Sequence, residues 1–270
     1  LYDEDKWPSG FGAGRVTEGH PEYACRYLFF SKNYYPNGYH KRDKVFTSRV
    51  AGSGELELLR TYEISLRDGR LADYSCRDEV REGENIWYLY LCIMEPSAWF
   101  NNSSYGDTLN PEAMKRFLEV AYEPYAAAVG EEFGSTVEAV FTDEPCFYKA
   151  ENLRDGEQAE DIGLPYSDAL GRLYSEKYGG ELLEQIPEIV WEYADGTVSP
   201  VRYRYHVCLS ELFTTAYAAQ LGTWSREHQL LFTGHLLGEN TLDNMTRSIG
   251  EVMYTLAQWD LPGCDMLANR

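Results

Sequence analysis

Two acidic residues stand side by side at Asp143-Glu144, directly after the apolar run Val137-Glu138-Ala139-Val140-Phe141-Thr142 and directly before Pro145. Adjacent carboxylates repel when both are ionised, so one of them can hold a proton near neutrality and give it up to a substrate. A second group must then take a proton, and Glu239, 239 − 144 = 95 residues later, is placed for that by its own strand-like lead-in, Gln229 to His235. His235 adds an imidazole that could bond a hydroxyl or orient a carboxylate. Plainer roles stay open: Asp143 and Glu144 could simply end a strand or cap a helix, Glu239 could cap a helix beginning near Thr241, and His235 could be satisfied by backbone.

The elements around these residues have to bring them to one place. The run Val137–Thr142 reads as a strand buried on both faces, which puts its two carboxylates at its C-terminal end. In a parallel α/β sheet or barrel, that end is the rim on which sites are built. Ile86–Met94 reads as a strand of the same kind, running into Glu95-Pro96 with Trp99 close behind. Asn110-Pro111-Glu112 is a helix start, and Met114, Phe117, Leu118, Ala121 and Tyr125 continue it at helical spacing until Pro124 kinks it and Gly130 and Gly134 end it. Residues 150–228 read as mostly helical, with Leu170, Leu173 and Tyr174 on one face and a long helix from Ser199-Pro200 that turns Tyr205, Leu209, Leu212, Ala216 and Ala219 inward. The acidic stretch between Glu151 and Asp161 reads as a solvated loop. After Gln229–His235 a helix over 241–258 leads to a last strand, Gly263–Leu267, with Asp265 near its end. Leu58–Leu66 alternates and Asp68-Gly69 signals a hairpin, so residues 52–86 read as a small antiparallel β insertion.

These elements predict an α/β fold, a partial (β/α)₈ TIM-type barrel over residues 1–270, incomplete at both ends, that carries the 52–86 insertion. A piece of barrel is expected to be poorly stable and inactive alone. Lys+Arg 24 against Asp+Glu 44 gives a formal charge of −20, which repels phosphate backbones and anionic lipid, so neither nucleic acid nor a membrane is an expected partner. Six scattered cysteines form no C-x-x-C pair and suggest neither a zinc site nor a disulfide framework; reduced thiols favour a cytoplasm-like compartment. The loop Glu4 to Gly14 has three glycines and an indole, but no G-x-G-x-x-G opening a helix, so it is no nucleotide site.

Four phrases, Tyr2-Asp3-Glu4-Asp5-Lys6-Trp7-Pro8-Ser9-Gly10, Asp107-Thr108-Leu109-Asn110-Pro111, Phe141-Thr142-Asp143-Glu144-Pro145 and Thr233-Gly234-His235-Leu236-Leu237-Gly238-Glu239, occur in this order. Together they resemble the catalytic barrel of glycoside hydrolase family 106. The resemblance implies a sugar-cleaving barrel of the bacterial α-L-rhamnosidase kind, inverting, with calcium at the active site and flanking domains that lie outside this chain. The residue chemistry agrees, since hydrolysis of a glycosidic bond takes one protonated and one ionised carboxyl group. Glu144 is then the candidate acid and Glu239 the candidate base. Asp3, Asp5, Trp7, Glu95, Trp99, Asp143, His235, Asn240 and Asp265 are candidates for the oligosaccharide-binding rim, and a cluster of these acids could hold Ca²⁺. Two other readings stand beside this one: a retaining β-glycosidase whose nucleophile lies outside the chain, and a non-catalytic carbohydrate-binding fragment.

Overall fold

A computed structural model of the chain describes residues 1–36, 39–43, 50–54, 56–157 and 160–265. In chain order the strands are β1 (Arg26–Ser31), β2 (Tyr39–Asp43), β3 (Val50–Gly54), β4 (Glu57–Arg67), β5 (Arg70–Arg77), β6 (Ile86–Ile93), β7 (Ala139–Asp143), β8 (Ile162–Pro165), β9 (Leu231–His235) and β10 (Leu261–Pro262). The helices are α1 (Pro111–Phe117), α2 (Glu123–Val129), α3 (Asp168–Tyr178), α4 (Ile186–Val190), α5 (Pro200–Phe213), α6 (Gln220–Glu227), α7 (Leu242–Ser248) and α8 (Val252–Leu256). The class is α/β, with the two strand types segregated. One compact unit comprises Leu1–Cys25, Met94–Phe147 and Leu209–Arg270, and the other Arg26–Ile93 and Tyr148–Cys208. No helix among the described residues is long and apolar enough to cross a membrane.

The first unit is built on a parallel sheet in the order β10-β9-β7. The start of the chain runs parallel beside β7: Phe141 N–H donates to Leu1 O at 2.7 Å and Asp3 N–H to Phe141 O at 3.1 Å. Tyr2, Phe141, Thr233 and Leu261 therefore lie level across the sheet. The approach of β7 to β9 requires a glycine at 234, where a Cβ would meet Thr142 O at 1.9 Å. Burial along β7 alternates, with Val140 and Thr142 buried and Ala139, Phe141 and Asp143 only partly so. The expected strand buried on both faces is corrected accordingly. Helical segments cover the Val140/Thr142 face, where Thr142 Oγ1 and Tyr217 Oη share a hydrogen bond of 2.7 Å. Phe141 on the other face packs beside Tyr2 and His235.

The helix from Pro111 forms as expected, with Asn110 capping Glu112 N–H. It is interrupted by a π-helical turn at Leu118–Tyr122, just before Pro124, whose missing N–H leaves a carbonyl one turn back without its ladder partner. A second π-helical turn, Thr214–Ala219, joins α5 to α6. The single helix expected over 241–258 is instead α7 and α8, parted at Gly250 (φ 78°) and restarted by the Glu251 side chain, which accepts from Met253 and Tyr254 N–H. The last parallel strand is Leu261–Pro262 rather than Gly263–Leu267; Gly263 to Asp265 are not strand, and Met266 and Leu267 lie outside the described residues.

The second unit is an antiparallel sheet in the order β5-β4-β6-β1-β8. Ile86–Met94 was expected among the parallel strands, and this is corrected: β6 pairs antiparallel with both β1 and β4. A continuous apolar run says that a strand is buried and does not say which way its neighbours point. The Asp68-Gly69 hairpin is present between β4 and β5, but β4 also pairs with β6, so the hairpin extends the five-stranded sheet. Strands β1 and β8 fall in stretches that the sequence left unplaced or assigned to loop and helix. The core of this sheet is aromatic, with Phe30 stacked on Trp87 at 5.0 Å and Trp191 edge-on to Trp87 at 5.1 Å.

Candidate functional site

Parallel strands in register bring their C-terminal ends to one rim, and in this sheet those ends carry the titratable groups. Asp143 closes β7 and His235 closes β9, directly opposite one another in the ladder. His235 Nε2 lies 3.2 Å from Asp143 Oδ1 and Nδ1 lies 3.9 Å from Glu144 Oε1. Asp143 also accepts a short hydrogen bond from the Tyr2 hydroxyl. Nε2 faces the Asp143 carboxylate, and Nδ1 is buried without a hydrogen-bond partner.

Glu144 has a backbone conformation that side chains rarely adopt, φ 89°. Such a residue costs on the order of 1–3 kcal/mol and persists only where its surroundings hold it. Its N–H donates to His235 O at 3.0 Å. Its side chain is only 13% exposed. Burial, then the charges of Asp143, Asp265 and Glu239, push its carboxyl up to about 7. Glu239 is thus near enough for its charge to act on Glu144. Both Glu239 oxygens are engaged by backbone, Oε1 by Leu236 N–H and Oε2 by Asp265 N–H, each at 2.9 Å. Thr241, not Glu239, caps α7.

Asp3 is buried on the covered face of the sheet, where it accepts from Ser9 Oγ at 2.6 Å and Tyr122 Oη at 2.8 Å. Burial raises its carboxyl to about 6 against these bonds, which lower it. Glu4, which the sequence reading passed over, closes the glycine loop from inside: its carboxylate accepts from the N–H groups of Phe11, Gly12 and Ala13 at 3.1, 2.7 and 2.6 Å. Burial outweighs those bonds and pushes Glu4 up to about 8. The loop's amides thus serve the chain's own carboxylate.

Trp7 and Trp99, 92 residues apart, meet edge to face at 5.4 Å, and Trp99 Nε1 donates to Trp7 O. Lys6 Nζ sits over the Trp99 ring, and Asn101 Nδ2 reaches Asp5. Asp5, Trp7 and Trp99 therefore form one partly open cluster. Glu95 follows an antiparallel strand, so strand direction does not carry it to the rim with Asp143. Asn240 is exposed and accepts from Asn244. Asp265 meets Glu239 through its backbone N–H. Tyr2, Ser9 and Tyr122 were missed by the sequence reading; only the position of Tyr2 and Ser9 inside the first quoted phrase hinted at them.

The calcium implied by the family resemblance would need about six to eight oxygen ligands. Among the described residues, one group of acids and histidines is close enough to hold an ion, Asp143, Glu144 and His235. That set brings a nitrogen donor, and Asp143 is already engaged by Tyr2 and His235. It does not fit calcium.

No known protein family and no curated protein matches the chain. Among solved structures, a rhamnosidase from Novosphingobium sp. PP1Y matches at 14% identity with a TM-score of 0.44, over 67% of this chain and 16% of that one. The chain thus spans 16% of that enzyme's length, and so loose a likeness decides neither fold nor reaction.

Proposed function

We propose that this chain carries the active-site portion of a glycoside hydrolase, and that its parallel unit is a segment of a (β/α)₈-type barrel. The observation that carries the reading is Glu144: a nearly buried carboxyl at the C-terminal rim of a parallel sheet, held near neutrality by burial and by the acids around it. A carboxyl poised at about 7 is still partly protonated at neutral pH, which is what protonating a glycosidic oxygen requires. Glu144 is the proton donor in this reading. Asp143 keeps that proton on by repulsion and is itself fixed by Tyr2 and His235. Glu239 takes the base role, oriented by its two backbone donors. Trp7, packed edge to face with Trp99, offers an indole for a sugar face, with Asp5 and Asn101 beside it for hydroxyls.

The motif resemblance makes α-L-rhamnosides the first substrates to test, with inversion the expected outcome. A panel of nitrophenyl glycosides should give turnover with at least one sugar, and NMR of the first-formed product gives its anomer. Activity should fall as pH rises through about 7, where Glu144 loses its proton. Turnover that keeps rising to pH 9, or none on any glycoside with the full-length protein, would remove Glu144 as the acid.

A further inference from the structure

We infer that Asp3, acting through Ser9, is a positioning residue that holds Glu144 in its left-handed backbone conformation. The residue before Glu144 is fixed at both of its backbone groups by one serine. Ser9 N–H donates to Asp143 O at 2.7 Å, and Asp143 N–H donates to Ser9 Oγ at 2.8 Å. A hydroxyl that accepts from Asp143 must aim its own proton elsewhere, and it donates to Asp3 Oδ1 at 2.6 Å. The other oxygen of Asp3 takes the Tyr122 hydroxyl, so the carboxylate cannot turn away. Tyr105 Oη holds Ser9 O at 2.6 Å from a third direction. Glu144's own N–H, on the same peptide plane as Asp143 O, is tied to His235 O, and past its Cα the Cys146 N–H donates to Tyr105 Oη at 3.4 Å while Thr108 Oγ1 donates to Cys146 O at 2.7 Å.

Ser9, Asp3, Tyr105 and Tyr122 are all buried, so solvent does not compete for these bonds. A strained φ at a proton donor, clamped just before by a buried network with a carboxylate at its root, is the pattern expected where strain serves positioning. The π-helical turn at Leu118–Tyr122 ends on the tyrosine that completes the network. Asp3 lies on the covered face of the sheet and Glu144 at the rim, so Asp3 acts on the reaction only through Ser9.

The test compares Gly with Ala at position 144, which cancels the loss of the carboxyl and leaves the backbone. At a held positive φ, Glu144→Gly should melt about 2–4 °C above Glu144→Ala. In a Ser9→Ala or Asp3→Asn background the side-chain half of the clamp is lost, and the gap should shrink below about 1 °C or reverse, since Ala is the better residue where φ is free. A gap that survives unchanged in both backgrounds overturns the inference. Tyr122→Phe, which loses one hydroxyl, gives the same comparison if the stronger variants do not fold. This arm needs no substrate, so it stands or falls apart from the glycosidase reading. The second arm rests on that reading: Ser9→Ala should lower kcat about 10–100-fold with KM within about twofold, and Ser9→Thr should restore it. A fall confined to KM, or a threonine that fails to rescue although folded, counts against positioning.

Discussion

The two units of this chain use strands in opposite ways, and the chemistry follows the difference. In the parallel unit, every C-terminal strand end reaches the same rim, so Asp143 and His235 meet in register with Glu144 one residue on. In the antiparallel unit the strand ends alternate between two edges, and no comparable cluster of acids and histidines forms among its described residues. Its interior is Phe29, Phe30, Tyr62, Trp87, Tyr90 and Trp191. Burial there acts mainly on tyrosines such as Tyr62, pushed further up and neutral in any case, and holds His206 down at about 4. Burial in the parallel unit raises tyrosines too, Tyr105, Tyr122 and Tyr217 among them, but there it also falls on the carboxyls of Asp3, Glu4 and Glu144 and brings them up toward neutrality. The same desolvation leaves a tyrosine neutral as it already was and changes the charge of a carboxyl near neutrality.

The sharpest way to break this contrast is to remove function from one unit and stability from the other. Glu144→Gln should lower kcat/KM about 10²–10⁴-fold on glycosides with poor leaving groups and much less on activated ones. Its fold should be intact by circular dichroism. Trp87→Ala, in the antiparallel core, should cost about 3–5 kcal/mol in urea unfolding. What remains folded should keep its kcat. If Glu144→Gln unfolds the protein, or Trp87→Ala changes the pH profile of whatever turnover the folded protein shows, the division of labour is wrong.

A smaller effect should appear in stability against pH. Glu144, Asp3 and Glu4 all have folded-state carboxyls raised above their ordinary values, to about 7, 6 and 8. A raised carboxyl binds its proton more tightly folded than unfolded, so the stability it contributes is full below the unfolded value and is lost as pH rises through the folded one. The melting temperature should therefore decline between roughly pH 4 and 8, with Glu4 responsible for the last part of the fall. Glu4→Gln should flatten the slope between about pH 7 and 8 even though it lowers the melting temperature overall, since an amide cannot accept all three loop N–H groups. A slope that Glu4→Gln leaves unchanged would mean that burial of Glu4 does not hold a proton on it.

The rim was more legible than the sheet that builds it. Asp143 and Glu144 stood out because an apolar run stopped at them, and His235 because a second run did the same; both stops are strand ends in the structure. Ile86–Met94 gave the same signal, yet β6 within it belongs to an antiparallel sheet, because burial on both faces is common to central strands of either kind. Strand β1 carries Tyr27, Leu28, Phe29 and Phe30 in its own short run between the turn formers Gly19-His20-Pro21 and Pro36-Asn37-Gly38, and the sequence reading left it unplaced although those signals were there. Asp3 was readable as an acid near a strand end but not as a buried one. Its burial depends on Tyr122, 119 residues away, and on a π-helical turn that no periodicity announces.

The least effect is expected from the charges of the antiparallel unit, and there it is informative. Arg60 lies 3.1 Å from Glu181 and 3.3 Å from Asp78, whose side chains are 62% and 85% exposed, and it also donates to Leu59 O. Exposed partners lose little water on pairing but give up side-chain freedom, so each pair should be worth under about 1 kcal/mol. The chain's formal charge of −20 works against even that, because neutralising an acid relieves repulsion elsewhere. Asp78→Asn and Glu181→Gln should thus each shift unfolding by less than about 0.5 kcal/mol, with a difference that fades as salt rises. Removing a carboxylate from the parallel unit, at Asp3 or Glu4, should cost several times more, because it strands buried donors. Equal costs in the two units would show that carboxylates build both sheets alike, and the contrast between an aromatic scaffold and an acidic rim would fail.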